Sequence, residues 1–299
     1  MNYPFYERLI APARRSNEIW RICVGCVMIA VAYPLCLHLY WDLLSGIAGL
    51  PRWAVQTAVE TGLRPVWTLA LLFSFVGFWI ACFFVVRFLH KRPFRSLFGS
   101  FRGVAYDFWR VVIAIVLLNV ALAVLPPYGD GESSDALRNP ALSLSTWIAL
   151  LPFSLIAILI QTGAEEVLFR GYLQSQLAAR FKSPLIWILV PSFLFAAGHY
   201  APNIHGENNT FIVIWAGLFG VLAADLTARS GTLGAALGFH FANNVFALLL
   251  VGSPGAMGGL ALYHDRVAVS GEPFPTTTMI IQCGFLLIAW LAARIALRR

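Results

Sequence analysis

The sequence predicts an all-α polytopic membrane protein, a bundle of about eight transmembrane helices with both termini in the cytoplasm. Three observations predict this fold class: 59% of the 299 residues are hydrophobic, only 12% are charged, and the mean hydropathy is +0.75. A soluble domain has about 45–50% apolar and about 25% charged residues. The composition excludes a disordered chain, a secreted disulfide scaffold and a DNA-binding protein. The lipid bilayer is therefore an expected partner, and nucleic acid is not.

Eight apolar stretches are long enough, or nearly so, to cross the membrane, whose hydrocarbon core of roughly 30 Å requires about 20 helical residues. These stretches are residues 19–41, 66–89, 104–126, 144–178, 184–201, 211–227, 232–252 and 277–296. Prolines and glycines separate them, and no strand alternation is visible. We interpret residues 50–63 as an interfacial helix rather than a ninth span.

The distribution of Lys and Arg predicts the orientation, because cytoplasmic loops retain these residues. With both termini inside, four of the 21 basic residues lie on the outer side, and the other 17 lie on the cytoplasmic side or its flanks. The four outer residues are Arg52, Arg64, Arg138 and Arg266. The acidic stretch 127–140 is then an outer loop. We expect the protein to be a multi-pass protein of a bacterial inner (plasma) membrane.

The five cysteines, at positions 23, 26, 36, 82 and 283, all lie in apolar stretches. We interpret them as small buried hydrophobic residues, which is the usual environment of a free cysteine. Cys23 and Cys26 have the C-x-x-C spacing of a redox motif but lack its βαβ context.

Few ionisable side chains fall inside the spans, and each is a functional-site hypothesis because a charge in the bilayer centre costs roughly 3 kcal/mol or more. Several polar residues have ordinary explanations: an interfacial position for His38, solvated loops for His90, His205 and His264, and caps or ion pairs for Asp107 and Asp225. The remaining set is Glu165, Glu166 and Arg170 on the fourth span, His199 on the fifth, and His240, Asn243 and Asn244 on the seventh.

Helix geometry predicts which charged residues of the fourth span pair with each other. Residues four apart share a face, so Glu166 and Arg170 are predicted to form an ion pair. Glu165 points about 100° away and is left free to act.

Helical rise places the polar groups at similar depths. If the fourth and fifth helices turn near Phe181, Glu165 lies about 24 Å and His199 about 27 Å from the turn. His240 and Asn244 are one turn apart, preceded by glycines at positions 234 and 238 that permit close helix approach. We therefore expect Glu165, His199, His240 and Asn244 to converge within the membrane.

A carboxylate and two imidazoles in a dry site suit the activation of water. Glu165 can take a proton from a water that His199 also holds, while His240 and Asn244 donate hydrogen bonds to the oxyanion of an attacked amide. This arrangement is typical of a peptidase. Two alternatives remain: a non-catalytic membrane partner, such as an immunity or scaffold protein, and a proton-coupled transporter that uses the Glu/His set as a relay.

Three motifs resemble those of a known family. Glu165-Glu166-Val-Leu-Phe-Arg170 resembles E-E-x-x-x-R, Phe195-Ala-Ala-Gly-His199 resembles F-x-x-x-H, and His240-Phe-Ala-Asn-Asn244 resembles H-x-x-x-N. These are the motifs of the CAAX prenyl protease and bacteriocin-processing (Abi/CPBP) intramembrane glutamate-type endopeptidases.

The resemblance implies an intramembrane endopeptidase, and therefore an enzyme. In the prenyl-protein branch, such enzymes remove the last three residues of a C-a-a-X sequence after lipidation of its cysteine, so a peptide or a lipidated protein is the expected substrate. Glu165 and His199 would position the water, and His240 and Asn244 would stabilise the oxyanion. Glu166 and Arg170 would be structural.

The resemblance covers about residues 146–250 and predicts three regions. These are an N-terminal membrane region of three spans (1–143), a four-span catalytic core (144–252), and an outer loop with the last span (253–299).

A zinc site is the alternative to a metal-free mechanism. Glu165, His199 and His240 could supply three ligands and leave one position open, and family members are often labelled metalloproteases. No H-E-x-x-H motif is present, and a ligating carboxylate is less available as a base. We therefore expect no cofactor and no metal ligands.

Overall fold

The computed structural model describes residues 3–62, 64–125, 136–255, 257–265, 269 and 272–298. These residues are mostly helical, which confirms the all-α fold class. Most of the predicted outer loop, residues 126–135, and Arg266 lie outside the described residues.

The α-helices fall into an N-terminal group and a group around the predicted core. The first group is α1 (Glu7–Ile10), α2 (Ile19–Ala48), α3 (Arg52–Thr61), α4 (Pro65–Ser74), α5 (Val76–Phe84) and α6 (Phe101–Val124). The second is α7 (Leu144–Glu166), α8 (Ser175–Arg180), α9 (Pro184–Gly198), α10 (Pro202–His205), α11 (Asn209–Ser230), α12 (Gly234–Val245) and α13 (Thr276–Leu297).

Shorter helical segments extend or join these elements. The 3₁₀ segments are Pro4–Tyr6, Ala11–Ser16, Phe94–Leu97 and Gly206–Asn208. The π-helical segments are Val85–Leu89, Val167–Gln174 and Phe246–Leu250.

Six helical segments in the described part of the chain are long and apolar enough to cross a membrane. They are Ile19–Ala48, Pro65–Leu89, Phe94–Val124, Leu144–Arg180, Pro202–Ser230 and Thr276–Leu297. The fifth and seventh predicted stretches form the shorter apolar helices Pro184–Gly198 and Gly234–Leu250. All eight stretches are therefore helical. The number of complete crossings and the side of the termini remain predictions.

The predicted interfacial helix is present as α3. Pro51 precedes it in extended conformation, and Gly62, with a positive φ of 58°, ends it. Val55 and Val59 are buried on one face, whereas the opposite face exposes Thr57 and Glu60 together with Trp53. Its position at the membrane interface remains a prediction.

Three two-residue strands among the described residues form a small sheet in the order β1-β3-β2. These are β1 (Leu137–Arg138), β2 (Val251–Gly252) and β3 (Tyr263–His264). β1 pairs antiparallel with β3, and β2 pairs parallel with it. Strands of two residues are too short to show alternation in a sequence. The sheet joins the segment before α7 to the segment that follows α12.

The interpretation of His90 as a solvated loop residue was wrong. Its side chain is 2% exposed, with Nδ1 3.0 Å from the carbonyl oxygen of Ser16 and Nε2 3.0 Å from the hydroxyl of Tyr172. The N-terminal segment folds over this loop and shields the imidazole from solvent. Burial lowers the pKa of His90 to about 4.

Asp225 confirms the interpretation of an ion-pair member, since its carboxylate lies 2.7 Å from Nε of Arg229. Asp107 is buried and accepts a hydrogen bond from Thr232.

The cysteine interpretation holds only in part. Cys82 is buried, Cys23 is exposed, and the other three are intermediate. In a membrane bundle an apolar helix face can point outward to lipid, so an apolar stretch does not imply burial in protein. All five cysteines are free.

Candidate active site

The fourth long helix carries the two glutamates at a change of helical geometry. α7 ends at Glu166, and the chain continues as the π-helical segment Val167–Gln174. Nη1 of Arg170 lies 2.8 Å from Oε1 of Glu166, with both side chains buried. The predicted ion pair is therefore present. Segments of π-helix are often found at functional sites.

His240 bridges both glutamates from α12. Its Nδ1 lies 2.8 Å from Oε1 of Glu166, and its Nε2 lies 3.4 Å from Oε2 of Glu165. A carboxylate only accepts hydrogen bonds, so Nδ1 donates to Glu166. Glu166 thus contacts Arg170 and His240 with the same oxygen. Spacing within the fourth span predicts only the ion pair for Glu166, and the contact with His240 was not predicted.

Close packing of α12 on α6 sets the position of His240. A Cβ atom built at Gly234 would lie 2.1 Å from the carbonyl oxygen of Val104, and one at Gly238 would lie 2.6 Å from that of Phe108. No larger residue fits either position without a shift of the backbone. The predicted close helix approach is therefore confirmed.

His199 caps the C-terminal end of α9. Its Nδ1 lies 2.8 Å from the carbonyl oxygen of Phe195, and since a carbonyl only accepts, Nδ1 donates. The Phe195 ring lies 4.5 Å from the imidazole, centroid to centroid, and forms an apolar wall beside it. In the neutral tautomer with a proton on Nδ1, Nε2 is an acceptor.

Asn244 lies one turn beyond His240 and contacts Gln161, a residue outside the predicted set. Its Nδ2 donates to Oε1 of Gln161 over 2.8 Å. Gln161 lies one turn before Glu165 on α7. An amide inside an apolar run, four residues before a buried carboxylate, was the available signal.

One cavity of about 430 Å³ brings the predicted groups together. Its polar lining includes all four predicted catalytic residues: Glu165, His199, His240 and Asn244, together with Gln161 and Asn243. Its apolar lining is largely aromatic: Tyr33, Phe75, Phe78, Phe169, Phe195, Trp215, Phe219, Leu248 and Met257. Glu166 and Arg170 do not line it. Their contacts lie behind His240 and support it.

The first two long helices also contribute to this cavity. Tyr33 lies on α2, and its ring stacks on that of Phe78 from α5 with centroids 3.7 Å apart. The predicted N-terminal region therefore forms part of the site. Its boundary as a separate domain remains a prediction.

The metal-free mechanism and the zinc alternative both remain predictions. No group of three His, Cys, Asp or Glu side chains among the described residues is placed to hold a metal ion. Nδ1 of His240 and Nδ1 of His199 both form hydrogen bonds, an arrangement that is also common in histidines that bind a metal through Nε2. Oε2 of Glu165 lies 3.4 Å from Nε2 of His240.

Comparison with known proteins connects this cavity to a family. The family model described as "Type II CAAX prenyl endopeptidase Rce1-like" matches residues 146–246. The chain is also 30% identical over 258 residues to the uncharacterized protein YyaK of Bacillus subtilis (strain 168), which covers 81% of each chain. The chain belongs to the Rce1-like family. No solved structure matches it at a significant level.

The Rce1-like match runs from α7 to the end of α12 and contains every predicted site residue. It confirms the family resemblance found in the three motifs. At the family level, the chain is therefore a CAAX-type intramembrane protease, and its apolar helices make it an integral, multi-pass membrane protein. Tyr33, Phe75 and Phe78 lie outside the Rce1-like match.

Proposed function

We propose that this Rce1-like chain is an endopeptidase that hydrolyses a peptide bond with a water activated by Glu165 and His199. One observation carries the proposal: Glu165, His199, His240 and Asn244 come from three separate helical segments and line one cavity. A carboxylate, two imidazoles and an amide in one apolar site match the needs of amide hydrolysis.

Glu165 is suited to act as the base. Its side chain is 13% exposed, and among the described residues its Oε2 forms no hydrogen bond, although Nε2 of His240 lies 3.4 Å away. In the proposed reaction, Glu165 takes a proton from water while the water oxygen attacks the amide carbon. Nε2 of His199 accepts the other proton of that water in a hydrogen bond and so orients it. Glu165 then gives its proton to the leaving nitrogen as the carbon–nitrogen bond breaks.

His240 and Asn244 form the proposed oxyanion site. His240 donates Nδ1–H to Glu166, so it must carry a second proton on Nε2 to donate into the cavity. The carboxylate of Glu166 holds the imidazole in place through this contact. Asn244 supplies an amide N–H from the next turn of the same helix. Two hydrogen-bond donors directed at a developing negative charge stabilise the transition state most strongly in a site that excludes water.

The lining of the cavity indicates the class of substrate. The aromatic rings on α2, α5, α9 and α11 provide an apolar surface beside the polar groups. Such a surface suits an apolar or lipidated segment that enters from the bilayer. We propose a membrane-associated peptide as substrate, with C-terminal processing of prenylated C-a-a-X proteins as the specific case. The reaction needs no metal, and the enzyme works in a bacterial plasma membrane with both termini in the cytoplasm.

The test is cleavage by the purified chain in liposomes. The substrates are a peptide with a prenylated C-terminal C-a-a-X sequence and a panel of membrane-protein fragments, each incubated with wild type or Glu165→Ala and analysed by mass spectrometry. Cleavage by wild type that is lost in Glu165→Ala supports the proposal. Cleavage retained in Glu165→Ala, or no cleavage of any substrate by folded wild type, contradicts it. The second result would favour a non-catalytic membrane partner or a transporter.

A further inference from the structure

Gln161 is a buried amide inside an otherwise apolar part of α7. Its side chain is only 3% exposed, and it lines the cavity one turn before Glu165. A polar group at such a position is costly unless it finds a partner. The partner that it finds lies on another helix, 83 residues away in sequence.

The contact joins Gln161 to the proposed oxyanion donor. Oε1 of Gln161 accepts a hydrogen bond from Nδ2 of Asn244 over 2.8 Å. A carboxamide nitrogen carries two hydrogens, so one serves Gln161 and the other remains available to a substrate. If the Asn244 amide rotated by 180°, its oxygen would replace this nitrogen and would repel an oxyanion.

The charge of Glu165 favours the orientation of Gln161 in this contact. Glu165 is four residues further along α7 and shares a face with Gln161. A carboxylate attracts the NH₂ end of a nearby amide dipole and leaves the oxygen end to accept from elsewhere. Oε1 of Gln161 therefore faces Asn244 as an acceptor. This favours the orientation of the Asn244 amide in which its nitrogen, rather than its oxygen, points toward Gln161.

We propose that Gln161 is a positioning residue that holds the Asn244 amide with an N–H directed at the oxyanion. This inference rests on the proposed function and extends it to a residue outside the three motifs. Gln161 acts through Asn244 and not through the substrate. Its effect should therefore appear in kcat rather than KM, and should require Asn244.

A double-mutant cycle tests this dependence, because residues in direct contact give non-additive effects. The variants are Gln161→Met, Asn244→Ala and the double variant, assayed on the peptide that wild type cleaves. Gln161→Met should lower kcat by about tenfold or more, with KM within about twofold. In the Asn244→Ala background, the same change should lower kcat by less than about twofold.

Gln174 provides a matched control. It is another buried glutamine in the π-helical continuation of the same helix, and its Nε2 donates to the carbonyl oxygen of Ala224 over 2.9 Å, away from the cavity. Gln174→Met should lower the melting temperature and leave kcat within about twofold of wild type. If Gln161→Met is too unstable to assay, Gln161→Asn tests the same contact, because it keeps an amide but shortens the side chain.

The outcomes separate this inference from the proposed function. Equal fold losses from Gln161→Met in both backgrounds, or an unchanged kcat, overturn the positioning role while wild-type cleavage and an inactive Glu165→Ala uphold the protease. A wild type that cleaves no substrate overturns both.

Discussion

Glu166 and His240 are 74 residues apart in sequence, and Oε1 of Glu166 lies 2.8 Å from Nδ1 of His240. The same oxygen also pairs with Arg170. Glu166 therefore connects an ion pair that stabilises α7 to the imidazole proposed to bind the oxyanion. This connection explains why two adjacent glutamates can have different tasks: Glu165 faces the cavity, and Glu166 faces the groups behind it.

Glu166→Gln should lower turnover even though Glu166 does not line the cavity. The variant keeps a hydrogen-bond acceptor for Nδ1 of His240 but removes the negative charge beside the imidazole that is proposed to donate to the oxyanion. We expect kcat to fall by about 10²-fold, within the usual range for groups that control proton position. The measurement is kcat per folded molecule in detergent, with the folded fraction taken from the melting curve. An unchanged kcat would show that the charge of Glu166 serves stability alone.

Arg170→Ala should lower the free energy of unfolding by roughly 3–5 kcal/mol, because it leaves the buried Glu166 carboxylate without its cation. The guanidinium also packs over the Phe195 ring at 4.8 Å. Denaturant unfolding measures the loss. The control is Arg52→Ala, which breaks the exposed contact with Asp42 and should cost at most about 1 kcal/mol. Similar losses of unfolding free energy in the two variants would contradict a large contribution of the buried pair to stability.

The metal-free mechanism predicts that activity survives prolonged treatment with a chelator. It also predicts that Asn244→Ala lowers kcat by about 10² to 10³-fold with a modest change in substrate affinity, as expected for loss of an oxyanion donor. Metal analysis of purified wild type provides the independent measurement. A stoichiometric zinc ion, with inactivation by the chelator and recovery on addition of Zn²⁺, would contradict the mechanism.

His90 should make stability depend on pH. Burial lowers its pKa to about 4 in the folded state, below the usual value of about 6.5 in an unfolded chain. The unfolded state then binds more protons between these values, so stability is fully present above about pH 6.5 and falls toward pH 4, by about 3 kcal/mol in total. His90→Gln should lack this component. Melting curves of both proteins at pH 7.5 and 4.5 measure it, and equal shifts in the two would show that other groups are responsible.

Some parts of the site could be predicted from the sequence, because they depend on spacing within one helix. The Glu166–Arg170 pair and the packing of Phe195 beside His199 both follow from residues four apart. The convergence of Glu165 and His199 followed from helical rise, which tolerates modest tilts.

Other contacts could not be predicted, because they depend on how separate helices are rotated against each other. The contacts of Glu166 with His240 and of Gln161 with Asn244 both join α7 to α12. Tyr33 belongs to none of the three motifs, so its contribution to the cavity could not be predicted. The burial of His90 depends on the fold of the N-terminal segment over its loop.

Turnover and melting temperature of Glu165→Gln, measured on one preparation, test whether Glu165 is the catalytic base. Glutamine has the size of glutamate but cannot act as a base, and the buried ion pair of Arg170 is with Glu166. We expect Glu165→Gln to lose cleavage of the wild-type substrate while its melting temperature stays near that of wild type. Retained cleavage, or a loss of melting temperature as large as that of Arg170→Ala, would show that Glu165 is structural and not the base.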